Sequence, residues 1–267
     1  MFSRLFVLAI CIALPRITLS QEMKTHDWTV DGVKRQAIIK LPAKKNTGPV
    51  PVILCFHGHG GNMQNYARKD FQKYWPEAII VSPQGLNTPG IISDPQGLKP
   101  GWQKSVGDQK DRDLHFVDAI LKTLREEHQI DDNRIYVTGH SNGGGFTYLL
   151  LVARPHVFAA FAPSAAGSAA LRNPSGYAPA PIFHLAGEKD NVVPFEFQKR
   201  TIETVKKLNQ CDDAGKEWAP KCKLYESKTH AQVVSYIHGG DHAYPNEANA
   251  LIVKFFKENP KNDSTKR

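Results

Sequence analysis

The chain has 267 residues, 41% hydrophobic and 22% charged, with no long low-complexity tract. Those figures fit one soluble globular α/β-sized domain with a sizeable core. The formal charge is +8, but the bases are scattered, with no arginine-rich helix or aromatic-basic platform, so a solvated surface is expected rather than nucleic-acid binding.

Residues 1–20 read as a signal peptide. Arg4 is a short positive start, residues 5–14 are an apolar run too short to span a bilayer, and Ser20 offers a small residue for cleavage. Its removal takes Arg4 and Arg16 and no acid, leaving 32 bases against 26 acids. No later stretch is long and apolar enough to cross a membrane, so the mature form is expected secreted or periplasmic without membrane insertion.

Residues 28–30 and 33–41 flank Asp31-Gly32, a hairpin signal. Residues 50–56 form a β-branched run that ends in His57-Gly58-His59-Gly60-Gly61. A helix is expected over 62–69 and a strand over 78–82. Residues 86–108 form a long loop rich in glycine and proline, of the kind that often carries function. Leu114, Val117, Ile120, Leu121 and Leu124 recur at helical spacing, giving a helix over 111–128. Then come a strand (134–138), a helix (142–153), strands (158–163 and 181–186), a helix (194–209), a strand (233–237) and a closing helix (247–257). Residues 21–260 form the expected domain, and 261–267 a polar tail. Strands alternating with helices imply an α/β fold. Its sheet is mostly parallel and twisted, with helices on both faces and an antiparallel N-terminal hairpin at one edge.

Gly139-His140-Ser141-Asn142-Gly143 matches Gly-x-Ser-x-Gly. By composition alone such a pattern arises at a rate on the order of 0.1 per chain of this size. Its setting gives it weight, because a strand precedes it and a helix follows, as a nucleophile on a tight strand-to-helix turn requires. A serine hydroxyl needs a base, and in elbows of this kind an acid and then a histidine follow in the chain. Asp190, in the loop after residues 181–186, is the candidate acid, with Glu188 its rival. His242, in the loop after residues 233–237, is the candidate base, with His238 its rival. The backbone N–H groups of Asn142 and His59 are candidates for the oxyanion hole. His57 and His59 are alternative metal ligands, but no third is suggested nearby, so no metal is expected.

Cys55 reads as a buried free thiol. Cys211 and Cys222 flank a polar loop and are candidates for a disulfide in an exported protein, the alternative being two unpaired thiols. Trp102 has equal claim as an acyl-pocket wall and as a packed loop anchor. Asp113 reads first as a helix-start acid and second as part of a polar network near the site.

Several segments carry a family resemblance: residues 56–62, 113–117, 130–144 and 158–163, Gly187 with Asp190 and Val193-Pro194, and residues 240–245. In these the chain resembles the secreted polyhydroxybutyrate depolymerase, feruloyl esterase and acetylxylan esterase family of α/β-hydrolases, over roughly residues 28–256. The resemblance implies an ester-hydrolysing Ser141, Asp190 and His242 and no cofactor. Some relatives have cysteine where this chain has His140 or His59. Depolymerases of insoluble polymers usually carry a separate binding domain, and none is read here, so the expected substrate is a small or oligomeric ester, polysaccharide-linked or free. A peptidase of the same fold and a catalytically silent binding protein are the alternatives.

Overall fold

The apolar alternation in the third strand shows how the core divides. Val52, Leu54 and Phe56 enter one hydrophobic cluster, while Ile53 and Cys55 enter another on the opposite side. A strand buried on both sides in this way belongs inside a sheet covered on both faces. The computed structural model describes residues 23–44, 47–90, 92–172 and 174–261. The signal peptide expected over 1–20 lies outside the described residues, as does the expected tail apart from Lys261.

The strands in chain order are β1 (Lys24–Val30), β2 (Val33–Lys40), β3 (Val50–Phe56), β4 (Ile79–Pro83), β5 (Leu86–Asn87), β6 (Pro100–Gly101), β7 (Ile130–His140), β8 (Ala160–Ser164), β9 (Ile182–Gly187), β10 (Lys216–Ala219), β11 (Cys222–Tyr225) and β12 (Val233–His238). The helices are α1 (Met63–Ala67), α2 (Arg112–Glu127), α3 (Asn142–Ala153), α4 (Phe195–Leu208) and α5 (Ala248–Glu258). Ten strands form one sheet in the order β1-β2-β4-β3-β7-β8-β9-β12-β11-β10. The run from β4 to β12 is parallel throughout. The β1–β2 hairpin turns on Asp31-Gly32 and joins β4 antiparallel.

Leu114, Phe116, Val117, Ile120, Leu121 and Leu124 of α2 pack on the face that carries Leu54, with Phe146 and Leu149 of α3. Ile252, Val253, Phe255 and Phe256 of α5 cover the other face, with Tyr66 of α1. Helix α3 is buried on nearly all sides, as expected of a helix that is apolar all round. Among the described residues no helix is long and apolar enough to cross a membrane.

Two features differ from the sequence reading. The polar segment between Cys211 and Cys222 contains β10, which pairs with β11 and extends the sheet beyond β12. Its Lys216 and Glu217 are exposed, and charged side chains are what a solvent-facing edge carries. The expected Cys211–Cys222 disulfide is absent, and Cys55, Cys211 and Cys222 are all free thiols. Cys211 packs against the cluster on the α2–α3 face, whereas Cys222 is buried in the cluster on the α5 face, so the sheet separates the two sulfurs.

The C-terminal ends of β3, β7, β9 and β12 lie at one edge. Phe56 pairs with Gly139, His140 with Ser164, and His238 with Gly187. The four loops that leave these ends carry His59, Ser141, Asp190 and His242, at the edge where open α/β sheets bind ligands.

Candidate active site

Ser141 stands between β7 and α3 with φ 57° and ψ −119°. A non-glycine residue at positive φ is strained backbone, and strain of this kind collects at functional turns. The neighbouring glycines make the turn possible. A Cβ on Gly139 would come within 2.2 Å of Gly143 O, and one on Gly143 within 2.3 Å of Phe56 O. Any side chain at either position would push the turn off the sheet.

The Ser141 hydroxyl lies 2.9 Å from His242 Nε2, and His242 Nδ1 lies 2.8 Å from Asp190 Oδ2. A carboxylate only accepts, so the imidazole proton sits on Nδ1 and leaves Nε2 to accept from the serine. The Asp190 side chain is wholly buried, and that of His242 is 21% exposed. Asp190 Oδ1 accepts from the N–H groups of Val192 and Val193 at 2.9 and 2.8 Å. Its Oδ2 also accepts from Gln198 Nε2 on α4 at 2.9 Å. The carboxylate is therefore held at four points. Glu188, two residues earlier, is exposed and makes no bond to the imidazole. His238 Nδ1 accepts from Gly240 N at 3.2 Å and is not joined to Ser141.

His140, beside Ser141, holds its ring 4.9 Å from that of His242 at a tilt of 46°. Its Nδ1 lies 3.2 Å from Ser164 Oγ. Burial, reinforced by His242 and Lys69, pushes its pKa down to about 3, so it stays neutral and adds no charge next to the triad-like array.

The loop after β3 runs beside Ser141, and a Cβ on Gly58 would stand 3.4 Å from Ser141 Cβ. Asn142 N begins α3, where backbone N–H groups have no partner within the helix. The N–H groups of His59 and Asn142 make no backbone hydrogen bond among the described residues. The His59 ring is fixed by Asp94, with Nε2 3.0 Å from Oδ2. Asp94 is itself fixed by the N–H groups of Leu98 and Lys99. His57 is buried, donates through Nδ1 to Gly58 O at 2.8 Å and accepts at Nε2 from Gly85 N at 3.0 Å. Both its nitrogens are occupied within the fold, and no group of three metal-ligating side chains exists among the described residues.

Trp102 is a correction to one expectation. It is 0% exposed and belongs to the core rather than to a pocket wall. Its indole donates to His57 O at 2.8 Å, and its ring packs on Phe56 and Phe146. Its backbone is clamped by the Asn142 side chain, whose Oδ1 accepts from Trp102 N at 2.6 Å while Nδ2 donates to Trp102 O at 3.0 Å. The long loop is thus bolted to the residue that follows Ser141. Asp113 completes the bolt. It is buried in the first turn of α2, accepts from Gln103 N at 2.9 Å and pairs with buried Arg35 at 2.8 Å. Asp113 therefore holds the loop without facing the cleft.

A cleft of about 500 Å³ opens over Ser141 and His242. One wall is apolar, made by Val192, Val193, Pro194 and Phe197, and Ile92 stands 66% exposed at its mouth. A second cavity, of about 560 Å³, lies between α4 and strands β10–β12, away from this array.

This sheet order, with a strained serine after a central strand, belongs to one fold. The chain has the α/β-hydrolase fold. The acetyl xylan esterase from Aspergillus awamori superposes with a TM-score of 0.66 at 14% identity, covering 88% of this chain and 99% of that one. Residues 101–173 of this α/β-hydrolase chain match the prolyl oligopeptidase family. In sequence it is 29% identical over 181 residues to a protein named Probable feruloyl esterase C from Aspergillus clavatus, a stretch covering 67% of this chain and 63% of that protein. It is 26% identical over 238 residues to Feruloyl esterase D from Neurospora crassa, covering 85% of this chain and 79% of that protein.

Proposed function

We propose that the protein is an exported serine carboxylic ester hydrolase working through an acyl-enzyme, without a cofactor. Residues 21–260 form its catalytic domain after loss of a signal peptide over 1–20. Its substrates are small or oligomeric feruloyl, acetyl or hydroxybutyryl esters, free or polysaccharide-linked. The observation that carries this reading is the continuous chain from Ser141 Oγ through His242 to Asp190, at 2.9 and 2.8 Å.

In this reading Ser141 Oγ attacks the ester carbonyl carbon while its proton passes to His242 Nε2. The charge that develops on the carbonyl oxygen is met by the N–H groups of Asn142 and His59. The intermediate collapses, the C–O bond to the alcohol breaks, and the proton on Nε2 goes to the leaving alkoxide. Water, deprotonated by the same nitrogen, then attacks the acyl-enzyme and releases acid and free Ser141. Asp190 keeps the imidazole oriented and stabilises the imidazolium without being protonated.

The feruloyl and acetylxylan esterases to which the chain is similar support the acyl preference. A fluorophosphonate should label wild type at Ser141 and leave Ser141→Ala unlabelled, with aryl ester cleavage lost in the variant. An unlabelled Ser141 together with intact aryl esters would sink the proposal and favour a silent hydrolase-fold binding protein.

The match to the prolyl oligopeptidase family supports a second reading, an amide-cleaving enzyme of the same fold. Matched ester and anilide substrates separate the two. Esters should be cleaved far faster, and equal rates would transfer the assignment to a peptidase.

A further inference from the structure

The charges around the cleft have one sign. Lys104 and Arg172 line it together with His59 and His242, and no aspartate or glutamate does so among the described residues. The carboxylates behind this wall are bound within the fold: Asp108 accepts from Lys104 N, Asp111 from Gln103 Nε2 and Asp113 from Gln103 N. Asp190 is wholly buried behind His242, and Asp94 accepts from Leu98 N, Lys99 N and His59. The second cavity makes the contrast, since Glu188, Glu203 and Glu217 face Lys199, Lys221 and Lys223 there.

Neither cation in the cleft forms an ion pair with a described residue. Lys104 Nζ donates instead to the neutral carbonyl of Pro89 at 2.6 Å. Arg172 ends a short 3-10 turn (Ala170–Arg172), is exposed on the cleft, and forms no ion pair with a described residue. A cavity of this volume is on the order of 10 Å across, no wider than the distance over which charges are felt at physiological salt. A carboxylate on a substrate whose ester lies at Ser141 is therefore within reach of the guanidinium.

We propose that Arg172, assisted by Lys104, is a specificity determinant that favours esters carrying a carboxylate group. This rests on the esterase reading above and names the substrate class for the same cleft. Arginine suits the task because its planar fork receives a carboxylate through two parallel N–H donors. The apolar wall of Val192, Val193, Pro194 and Phe197 takes the remainder of the acyl or alcohol group. The carboxylate can belong to the acyl part, as in a dicarboxylic monoester, or to the alcohol part, as in an acidic sugar or phenol. The chemistry recognised is the same.

The test uses two matched ester pairs with the whole mature chain. The acyl-side pair is an aryl monoester of glutaric acid against the aryl ester of pentanoic acid. The alcohol-side pair is the acetyl ester of 4-hydroxybenzoate against that of 4-hydroxybenzamide. The readout is the ratio of kcat/KM for the anionic to the neutral member, compared between wild type and Arg172→Gln, so that intrinsic ester reactivity cancels. The ratio should fall about fivefold in Arg172→Gln for at least one pair, the size of a solvent-accessible ion pair. The wild-type ratio should also shrink as salt is raised. The pair that responds names the side of the ester that carries the charge. Lys104→Gln, with a smaller drop expected, serves if Arg172→Gln fails to fold. Ratios unchanged by both substitutions, with all four esters turned over, would overturn this proposal and leave the esterase reading intact. No turnover of any of the four would overturn both.

Discussion

Gln198 Nε2 donates at 2.9 Å to Asp190 Oδ2, the same oxygen that receives His242 Nδ1 at 2.8 Å. The amide also donates to Val193 O at 2.7 Å, so it ties the acid to its own loop. Behind it stands His184 on β9, fully buried, with Nδ1 accepting from Tyr148 OH at 2.6 Å and the Gln198 side chain as its other polar neighbour. Gln198 is thus a positioning residue, with α4 bracing the carboxylate from the side away from the cleft. Gln198→Met keeps the volume and removes the donor. Its kcat on an aryl ester should fall roughly tenfold, the worth of a hydrogen bond to a charged group. KM should stay within a factor of about two. A rise in KM with unchanged kcat would show that the amide shapes the cleft and not the acid.

The choice between two acids in one loop has a sharp consequence. Asp190 is buried and bonded to His242, whereas Glu188 is exposed. Asp190→Asn should lower kcat by about four orders of magnitude, because an amide in this place favours the wrong imidazole tautomer. Glu188→Gln should change kcat by less than about twofold, as expected for a surface substitution. Steady-state kinetics of the two purified variants decide, and the opposite ranking would reverse the assignment.

These two residues also show what the sequence can carry. Ser141, Asp190 and His242 are legible because each sits just after a short, mostly apolar run, and strand ends in a parallel sheet share an edge. Asp113 is legible only in part, and its partner Arg35 is not singled out by the sequence reading. Arg35 shares its strand face with Ala37 and Ile39, and Asp113 falls on the stripe of Phe116, Val117 and Ile120. A charge on an apolar stripe signals a buried partner, but the two are 78 residues apart and nothing local pairs them. Gln198 lies in the interior of an amphipathic helix and leaves no periodic trace of its partner. Trp102 was ambiguous because an indole is equally at home in a core and in a pocket. The β10–β11 hairpin leaves little trace in the sequence because Lys216 and Glu217 break the apolar alternation and each strand is only four residues long.

The clamp between Asn142 and Trp102 gives the side chain of the residue after Ser141 a structural task. Its side chain makes two bonds to the Trp102 backbone, at 2.6 and 3.0 Å, while its own N–H makes no backbone hydrogen bond among the described residues. Asn142→Ala removes both bonds and leaves the N–H in place. Stability should fall by roughly 2 kcal/mol, about 1 kcal/mol for each bond, as read by urea denaturation. Limited proteolysis should gain a cut within residues 86–108, the segment released. Loss of stability without new cleavage there would mean that the clamp supports α3 rather than the loop.

The buried histidines set the acid sensitivity of the fold. Burial pushes the pKa of His184 down to about 4, and that of His140 to about 3, from an ordinary value of 6.5. In the unfolded chain both take up a proton near 6.5, while in the folded protein they remain neutral until much lower pH. Between about 6.5 and 4 the unfolded state therefore binds more protons, and stability rises with pH. Falling pH removes stability across that window, and for His184 alone the slope is roughly 1.4 kcal/mol per pH unit. His140 acts in the same direction and extends the window lower. Carboxylates add their own slope at the acid end, so a variant is needed to isolate the histidine. His184→Asn retains a polar group of similar reach and abolishes the titration. Urea midpoints taken at pH 7, 6, 5 and 4.5 should converge for wild type and variant as pH falls, because only wild type loses the proton-linked stability. Parallel curves would mean that His184 titrates alike in the folded and unfolded chains, so that burial does not hold it neutral.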